Sequence, residues 1–523
     1  MNLKTWADRI PAVLQRDYSL IFLAYTASYG LMLLNRGIYW EDWLIYNHTA
    51  ADNIYFFRDL GFFMSWPGYL YGFVGQFAAP ALICRSVTFI SFLTAAFCLN
   101  GVLATIKELE REARLLIVLL FSVFPFFTFR IAIGTLHYTL CYGFFFAAFY
   151  LLAGYFYGGK LWRRLLAVVL FFAACTTRSF LVFYILVAAY IVYRDGGRLL
   201  RIPIKYFDFF ILPLVVFLLN KYFFPPLGEY AAENYNAIDP LRALMAPLIM
   251  VKSFWVNVVC VLRESFFGHG AFFLLFILIA AVLRLLVLHG RVKNEFTGNE
   301  LKMFLVGILA FAAAAFPYIV IGKNPMPGSV DRFQLLLPLG SSIMVYYGLK
   351  LLLGRLSRPI VILILLAFIA GNMRTAIAYQ RFWYKKTALM EYLKASEEIK
   401  NHSTFLVADR TVYMHPIPYE LAFYEFAGFF RAIYGEQTRI AFYLPGDIDS
   451  ITKIRAFGRE RFNTRDYRPV PPQVRLIIEK GDGNLDVGEM ARLLRAEWLS
   501  PSTFKERVKN VVKVSAVEVK VNR

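Results

Sequence analysis

Glu41 and Asp42 are adjacent carboxylates between aromatics in Tyr39-Trp40-Glu41-Asp42-Trp43. Asp52, Arg58 and Asp59 follow within the same segment, Asn35 to Trp66. Neighbouring side chains diverge by about 100° on a helix and point opposite ways on a strand, so the two carboxylates cannot share one proton at one site. If one faces a reacting group, it can act as a general base for an acceptor hydroxyl or amine within hydrogen-bond reach. The pair offers a second chemistry, the holding of Mg2+ or Mn2+ through oxygen ligands. Acidic residues are also simply tolerated in loops. Trp40, Trp43 and Trp66 taken alone are ordinary anchors at a lipid–water boundary.

A second set of residues is basic. Arg130 follows Phe124-Pro125-Phe126-Phe127-Thr128-Phe129, and His137-Tyr138 opens the next apolar run. Arg178 lies in Cys175-Thr176-Thr177-Arg178-Ser179, and Lys323 and Arg332 bracket Gly322 to Asp331. Arginine clasps a phosphate bidentately and lysine offers a point charge. Ionisable groups at membrane depth are costly and usually functional. The competing reading is that each snorkels to water or pairs locally, as Arg332 could with Asp331.

The elements that must position these residues are apolar. Of 523 residues, 59% are hydrophobic and 18% aromatic, and mean hydropathy is +0.53. Soluble domains carry about 45–50% apolar residues. The chain therefore reads as a polytopic α-helical membrane protein. Its net charge of +20 fits basic cytoplasmic loops and phosphate-bearing ligands rather than nucleic acid. Cys84, Cys98, Cys141, Cys175 and Cys260 lie in or beside apolar runs without metal spacing and read as inert thiols. The run after the basic N-terminus reads as a signal anchor. Asn47-His48-Thr49 and Asn401-His402-Ser403 match the glycosylation sequon at a rate chance supplies.

Lys and Arg in short loops orient the spans. Lys4, Arg9 and Arg16 place the N-terminus in the cytoplasm. The groups Lys107/Arg111/Arg114, Lys160/Arg163/Arg164, Arg194/Arg198/Arg201/Lys205, Arg291/Lys293/Lys302 and Arg355/Arg358 mark further inside loops. The 35–66 loop is then outside. Only one crossing fits between it and Lys107, although Pro67 to Ile106 has about forty residues, enough for two. Trp66 to Pro80, bracketed by prolines, is assigned as an interfacial helix and 86–106 as the span. Val251–Gly270, with Lys252, Arg263, Glu264 and His269, is likewise assigned to the outer surface. The remaining spans are 115–129, 136–157, 165–176, 179–193, 207–222, 271–289, 303–321, 333–353 and 359–378. With 18–34 this makes about eleven, an odd number, so the C-terminus is outside. The short pair 165–176 and 179–193 reads as a hairpin reaching a recessed cavity, or as re-entrant. Residues 1–379 form the membrane domain. From Gln380 the composition changes, and 380–523 reads as a soluble extracytoplasmic α/β domain. It has a helix over Lys385 to Lys400, strands at Phe405–Ala408, Val474–Ile478 and Val511 to Val521, and a loop over Tyr467 to Gln473.

This layout resembles the GT-C glycosyltransferases, polytopic enzymes that use polyprenyl-phosphate-linked sugars, among them the protein O-mannosyltransferases and lipid A aminoarabinose transferases. Glu41-Asp42 stands where their first outer loop carries an acidic motif. Trp66–Pro80 resembles their juxtamembrane helices, with Trp66-Pro67 in place of the frequent His-Pro-Pro. Thr177-Arg178 before an apolar span is similar to their Thr-Lys or Thr-Arg. The resemblance implies an integral plasma (inner) membrane enzyme of the cell envelope. It would move a sugar from a polyprenyl-phosphate donor to a lipid, glycan or protein acceptor by inverting displacement. Asp42, or Glu41, would be the base, and Arg130, His137, Arg178, Lys323 and Arg332 would contact the lipid phosphate or substrate. Two alternatives share these features. A flippase or transporter of lipid-linked saccharide would not need Asp42 near an acceptor. A surface-polysaccharide polymerase or ligase typically places its Arg and His in a large late outer loop, and here only Phe223–Lys252 is long.

Overall fold

The computed structural model describes residues 17–46, 48–197, 200–231, 237–260, 262–263, 298–326, 331–417, 419–443, 462, 464, 466–468, 470–483 and 485–519. The predicted span 271–289 lies outside them, as do Lys4, Arg9, Arg16, Arg198, Glu264, His269, Arg291 and Lys293. Among the described residues, six segments are long and apolar enough to cross a membrane. They are Asp17–Leu34, Pro80–Leu103, Ile133–Gly158, Pro240–Cys260, Asn299–Ile319 and the helix pair within Leu337–Ala395. Shorter apolar helices, Arg111–Val123, Leu161–Cys175 and Phe207–Tyr222, pack among them. The molecule has the architecture of a helical membrane protein with a small C-terminal sheet.

The joints between helices sort into two ends. At one end basic residues of successive joints meet each other's elements. Arg111 and Arg114 pair with Asp17 at 2.8 and 2.9 Å, Arg358 with Glu112 at 2.7 Å and Lys350 with Glu300 at 3.1 Å. Arg194 Nη1 donates to the Thr105 carbonyl at 3.2 Å. The segments 35–46, 59–66, 128–137, 176–179, 318–326 and 331–335 gather at the opposite end.

Local chemistry explains the short elements at that second end. Thr49 caps the helix Ala50–Asp59 through a capping box with Asp52. Trp66–Val74 starts with proline in its first turn, where the missing N–H costs nothing. Gly68 lets it cross Ala50–Asp59 closely, since a Cβ there would lie 2.5 Å from the Ile54 Cα. At nine residues it is too short to span a bilayer, which takes about 20.

Two features differ from the sequence expectation. Phe223–Lys252 is not all loop. Asp239 accepts from the Leu241 and Arg242 amides at 2.9 and 3.3 Å and caps a helix, Pro240–Trp255, that a π-turn continues to Cys260. Both ends of that helix touch the same loop. The Asp239 amide donates to the Val320 carbonyl at 2.8 Å, while Ser253 Oγ and Asn257 Nδ2 donate to the Pro325 carbonyl at 2.5 and 3.1 Å. It also packs on Asn299–Ile319, where Phe254 meets Phe311 edge-on at 5.7 Å. Residues 251–260 of the segment expected at the outer surface thus belong to a helix that is itself long and apolar enough to cross a membrane. The second difference is at Gln380. The change in composition falls inside one unbroken helix, Ser357–Ala395, of 39 residues, about 58 Å long.

That helix ends among the strands β1 (Thr404–Asp409), β2 (Ile440–Tyr443), β3 (Val474–Lys480) and β4 (Val512–Glu518), ordered β2-β1-β3-β4. β1 runs parallel to β2 and β3, and β4 antiparallel to β3. Every residue of β2 is buried and the edge strand β4 alternates, as strands covered on two faces and on one face do. Lys385 and Lys386, fully buried on the long helix, pair with Asp409 at 2.5 Å and Glu425 at 2.6 Å and tie the sheet to the bundle.

Candidate functional site

The Glu41-Asp42 pair lies in a single 3-10 turn, Trp40–Leu44, entered through Trp40 at a positive φ of 45°. Such a backbone is strained for a bulky residue and persists only where its surroundings fix it. Trp40 is stacked on Phe129 at 4.2 Å with planes 13° apart, a contact worth about 1 kcal/mol beyond its buried area. Asp42 is 1% exposed. Its Oδ2 accepts from the Tyr39 amide at 3.0 Å and the Ile133 amide at 3.1 Å, and its Oδ1 from the Gly134 amide at 2.7 Å. A carboxylate has about four acceptor positions, so one on Oδ1 is left. Gly134 keeps that side open: a Cβ there would stand 3.2 Å from Oδ1. Burial pushes the Asp42 carboxyl up to about 6, against the pull of the three amides. Glu41 points elsewhere, to Arg332 Nη1 at 2.7 Å, and both of those side chains are well exposed.

Asp42 and Glu41 line a cavity of about 420 Å3, together with His137, Arg178, Lys323 and Arg332. Six of the seven residues expected to act at one face thus come together in one wall, and Tyr138 stands beside His137 there. Three cations face two carboxylates there. Burial is the largest influence on Lys323 and lowers its pKa, nearby Arg332 lowers it further, and Glu41 opposes both. An anion placed among these groups would relieve that repulsion. Arg178 donates to the Gly61 carbonyl at 3.4 Å from the apex between Leu161–Cys175 and Ser179–Phe183. At the same apex Thr176 Oγ1 accepts from Trp66 Nε1 at 3.2 Å. His137 is 3% exposed. Tyr71 donates its hydroxyl proton to the Ile133 carbonyl at 3.0 Å and lies 3.2 Å from His137 Nδ1. Nδ1 must then be the protonated nitrogen, which leaves Nε2 as an acceptor, and Nε2 has no hydrogen-bond partner in the structure.

Arg130 is not in the cavity wall. It is 5% exposed, its guanidinium donates to the Phe126 and Phe127 carbonyls at 3.1 Å each, and it lies between the rings of Tyr29 at 3.7 Å and Phe92 at 4.4 Å. It closes the turn at Phe127, another non-glycine residue at positive φ, and so seats Phe129 under Trp40. Its Nε and Nη2 meet main-chain carbonyls and its Nη1 is buried without a partner, so Arg130 serves the turn and stands apart from the cavity where a phosphate contact was expected.

Sequence reasoning passed over Arg85. It is 1% exposed and donates to the carbonyls of Ile131 at 2.9 Å, Asn35 at 2.5 Å and Gly37. It thereby joins the two loops that supply Asp42 and its amide donors. The signal was present, an arginine one residue before the predicted span 86–106. The metal alternative finds little support in the donor set. Glu41 and Asp42 face different partners, and among the described residues no three His, Cys, Asp or Glu side chains gather to hold an ion. Compared with known proteins, the chain matches no family model, and no curated protein or solved structure matches it.

Proposed function

We propose that the chain is an integral membrane glycosyltransferase that moves a sugar from a polyprenyl-phosphate donor to an acceptor nucleophile at this cavity. The observation that carries the reading is the joint placement in one wall of a buried carboxylate with a spare acceptor position, Asp42 Oδ1, and three cations, Arg178, Lys323 and Arg332. The acceptor hydroxyl or amine gives its proton to Asp42 and attacks the sugar C1. The bond from C1 to the phosphate oxygen breaks, and polyprenyl phosphate leaves with the electron pair. Its growing charge is met by cations already in place. One displacement inverts the anomeric centre. The Glu41–Arg332 pair at the rim can open to let Arg332 meet the phosphate. In this reading the basic joints are cytoplasmic and the cavity and sheet extracytoplasmic. This reading takes Pro240–Cys260 as lying at the outer surface and keeps an odd number of spans, about eleven.

The test is transfer by purified protein in lipid, using polyprenyl-phosphate sugars and Asp42→Asn. The expected result is turnover reduced by about 100-fold or more, with donor binding within a few-fold of the unaltered protein. Normal turnover by the variant sinks the base assignment. Saccharide translocation across sealed vesicles without transfer would instead favour the flippase.

A further inference from the structure

The acidic turn is held from outside the helical bundle. Glu425, in the first turn of the helix Phe423–Tyr434, is fully buried. Its Oε1 accepts from the Trp40 amide at 3.1 Å and from Lys386 Nζ at 2.6 Å. Its Oε2 accepts from the Ala422 amide at 3.1 Å. Lys386 Nζ donates in turn to the Ile38 carbonyl at 3.2 Å. One ion pair thus grips the backbone on both sides of Tyr39, and the Tyr39 amide is a donor to Asp42. The same helix presses on the far side of the turn. A Cβ on Gly428 would lie 2.7 Å from the Trp43 ring, and Phe429 meets that ring edge-on at 4.9 Å. A second attachment fixes the start of the loop, where Trp498 Nε1 donates to the Leu34 carbonyl at 3.1 Å and Arg36 lies 4.1 Å over the Trp498 ring.

A fully buried ion pair is a poor stability device, since well-packed apolar residues in its place are often neutral or better. What apolar residues cannot do is accept from the Trp40 amide and donate to the Ile38 carbonyl. Trp40 is also the strained residue of the turn. We propose that Glu425, acting with Lys386, is a positioning residue for the acidic turn. The sheet-bearing C-terminal part then aims the Asp42 carboxylate, and the site is complete only with that part docked. The proposal rests on the transferase reading for its catalytic consequence and on geometry alone for its structural one.

The double variant Glu425→Met/Lys386→Met keeps volume and removes both charges together. In the full-length protein in lipid, its melting temperature should stay within a few degrees of the unaltered protein. Amide exchange across 38–46 should rise about tenfold, the loss of one net hydrogen bond. Turnover should fall about 100-fold, as a misplaced group does, with donor KM little changed. Glu425→Gln, which can still accept from the Trp40 amide, should keep most of the protection and most of the turnover. If the double variant is stable and protects 38–46 normally, the proposal is overturned. If it regains both stability and full turnover, the pair serves docking alone and the proposal is equally overturned. Should the unaltered protein transfer no sugar, the transferase reading fails while the exchange result still decides whether the turn is positioned by Glu425. If the double variant unfolds, Glu425→Gln against Glu425→Met at residues 38–46 decides the same question.

Discussion

At Asp42 two demands oppose each other. A carboxyl raised from 3.8 to about 6 binds its proton more tightly in the folded chain than in the unfolded one. Stability from this group is therefore fully present below about pH 4 and is lost as pH climbs through about 6, a change of about 3 kcal/mol. A base needs the ionised form, so kcat/KM should rise as pH passes about 6 while thermal stability falls across the same window. A pH profile of transfer, run beside thermal melts, checks both signs, and a flat profile between pH 5 and 8 would remove Asp42 from the chemistry. Arg130 gives a contrasting prediction. Its guanidinium satisfies two carbonyls under the Phe127 turn, so Arg130→Met should destabilise the protein by about 3 kcal/mol. Donor KM measured on the surviving folded fraction should be unchanged. The sequence could rank Glu41, Asp42, Arg178, Lys323 and Arg332 as polar groups at one face because charge is costly there. It could not show that Nε and Nη2 of Arg130 turn to the main chain, because carbonyl direction at Phe126 and Phe127 leaves no mark in residue types.

Elements explain why the wall is closed on several sides. The helices Asn299–Ile319 and Leu337–Leu353 cross so tightly that a Cβ at Gly340 would stand 2.3 Å from the Phe311 amide nitrogen. Small residues allow such approach between apolar helices, where lipid supplies no hydrophobic drive. This pair brackets the loop with Lys323 and Arg332. Gly340→Leu should force the helices apart, cost 2 kcal/mol or about that in stability, and lower affinity for the phosphate donor. Gly307→Ala, where the nearest neighbours stand at 3.0 Å, should do less of both. Thermal melts with donor titration check the pair. The long apolar helices were readable because length and hydropathy mark them, and the short hairpin apex at Thr176 was readable from its two clipped runs. Pro240–Trp255 was not, because Pro240 and Pro247 suggest a break. Only the Asp239 cap and the first-turn place of Pro240 make the start of that helix permissible.

Across the whole molecule, the contact least visible in the sequence joins its ends. Trp40 and Glu425 stand 385 residues apart, and neither segment carries a local sign of the other. The composition change at Gln380 suggested a separate soluble part. It could not reveal that a helix runs through the change unbroken, since helix-forming residues continue on both sides. That helix, Ser357–Ala395, is also a lever. Lys386 rides on it about 44 Å from its first turn, so a tilt of about 5° swings the lysine by about 4 Å. Apolar helices tilt to match the lipid around them, and this one would carry bilayer thickness directly to the hold on Asp42. Transfer in lipids of short, intermediate and long acyl chains should therefore vary several-fold with thickness. The Glu425→Met/Lys386→Met protein, its grip released, should respond far less. The protein would in that sense gauge the membrane around it.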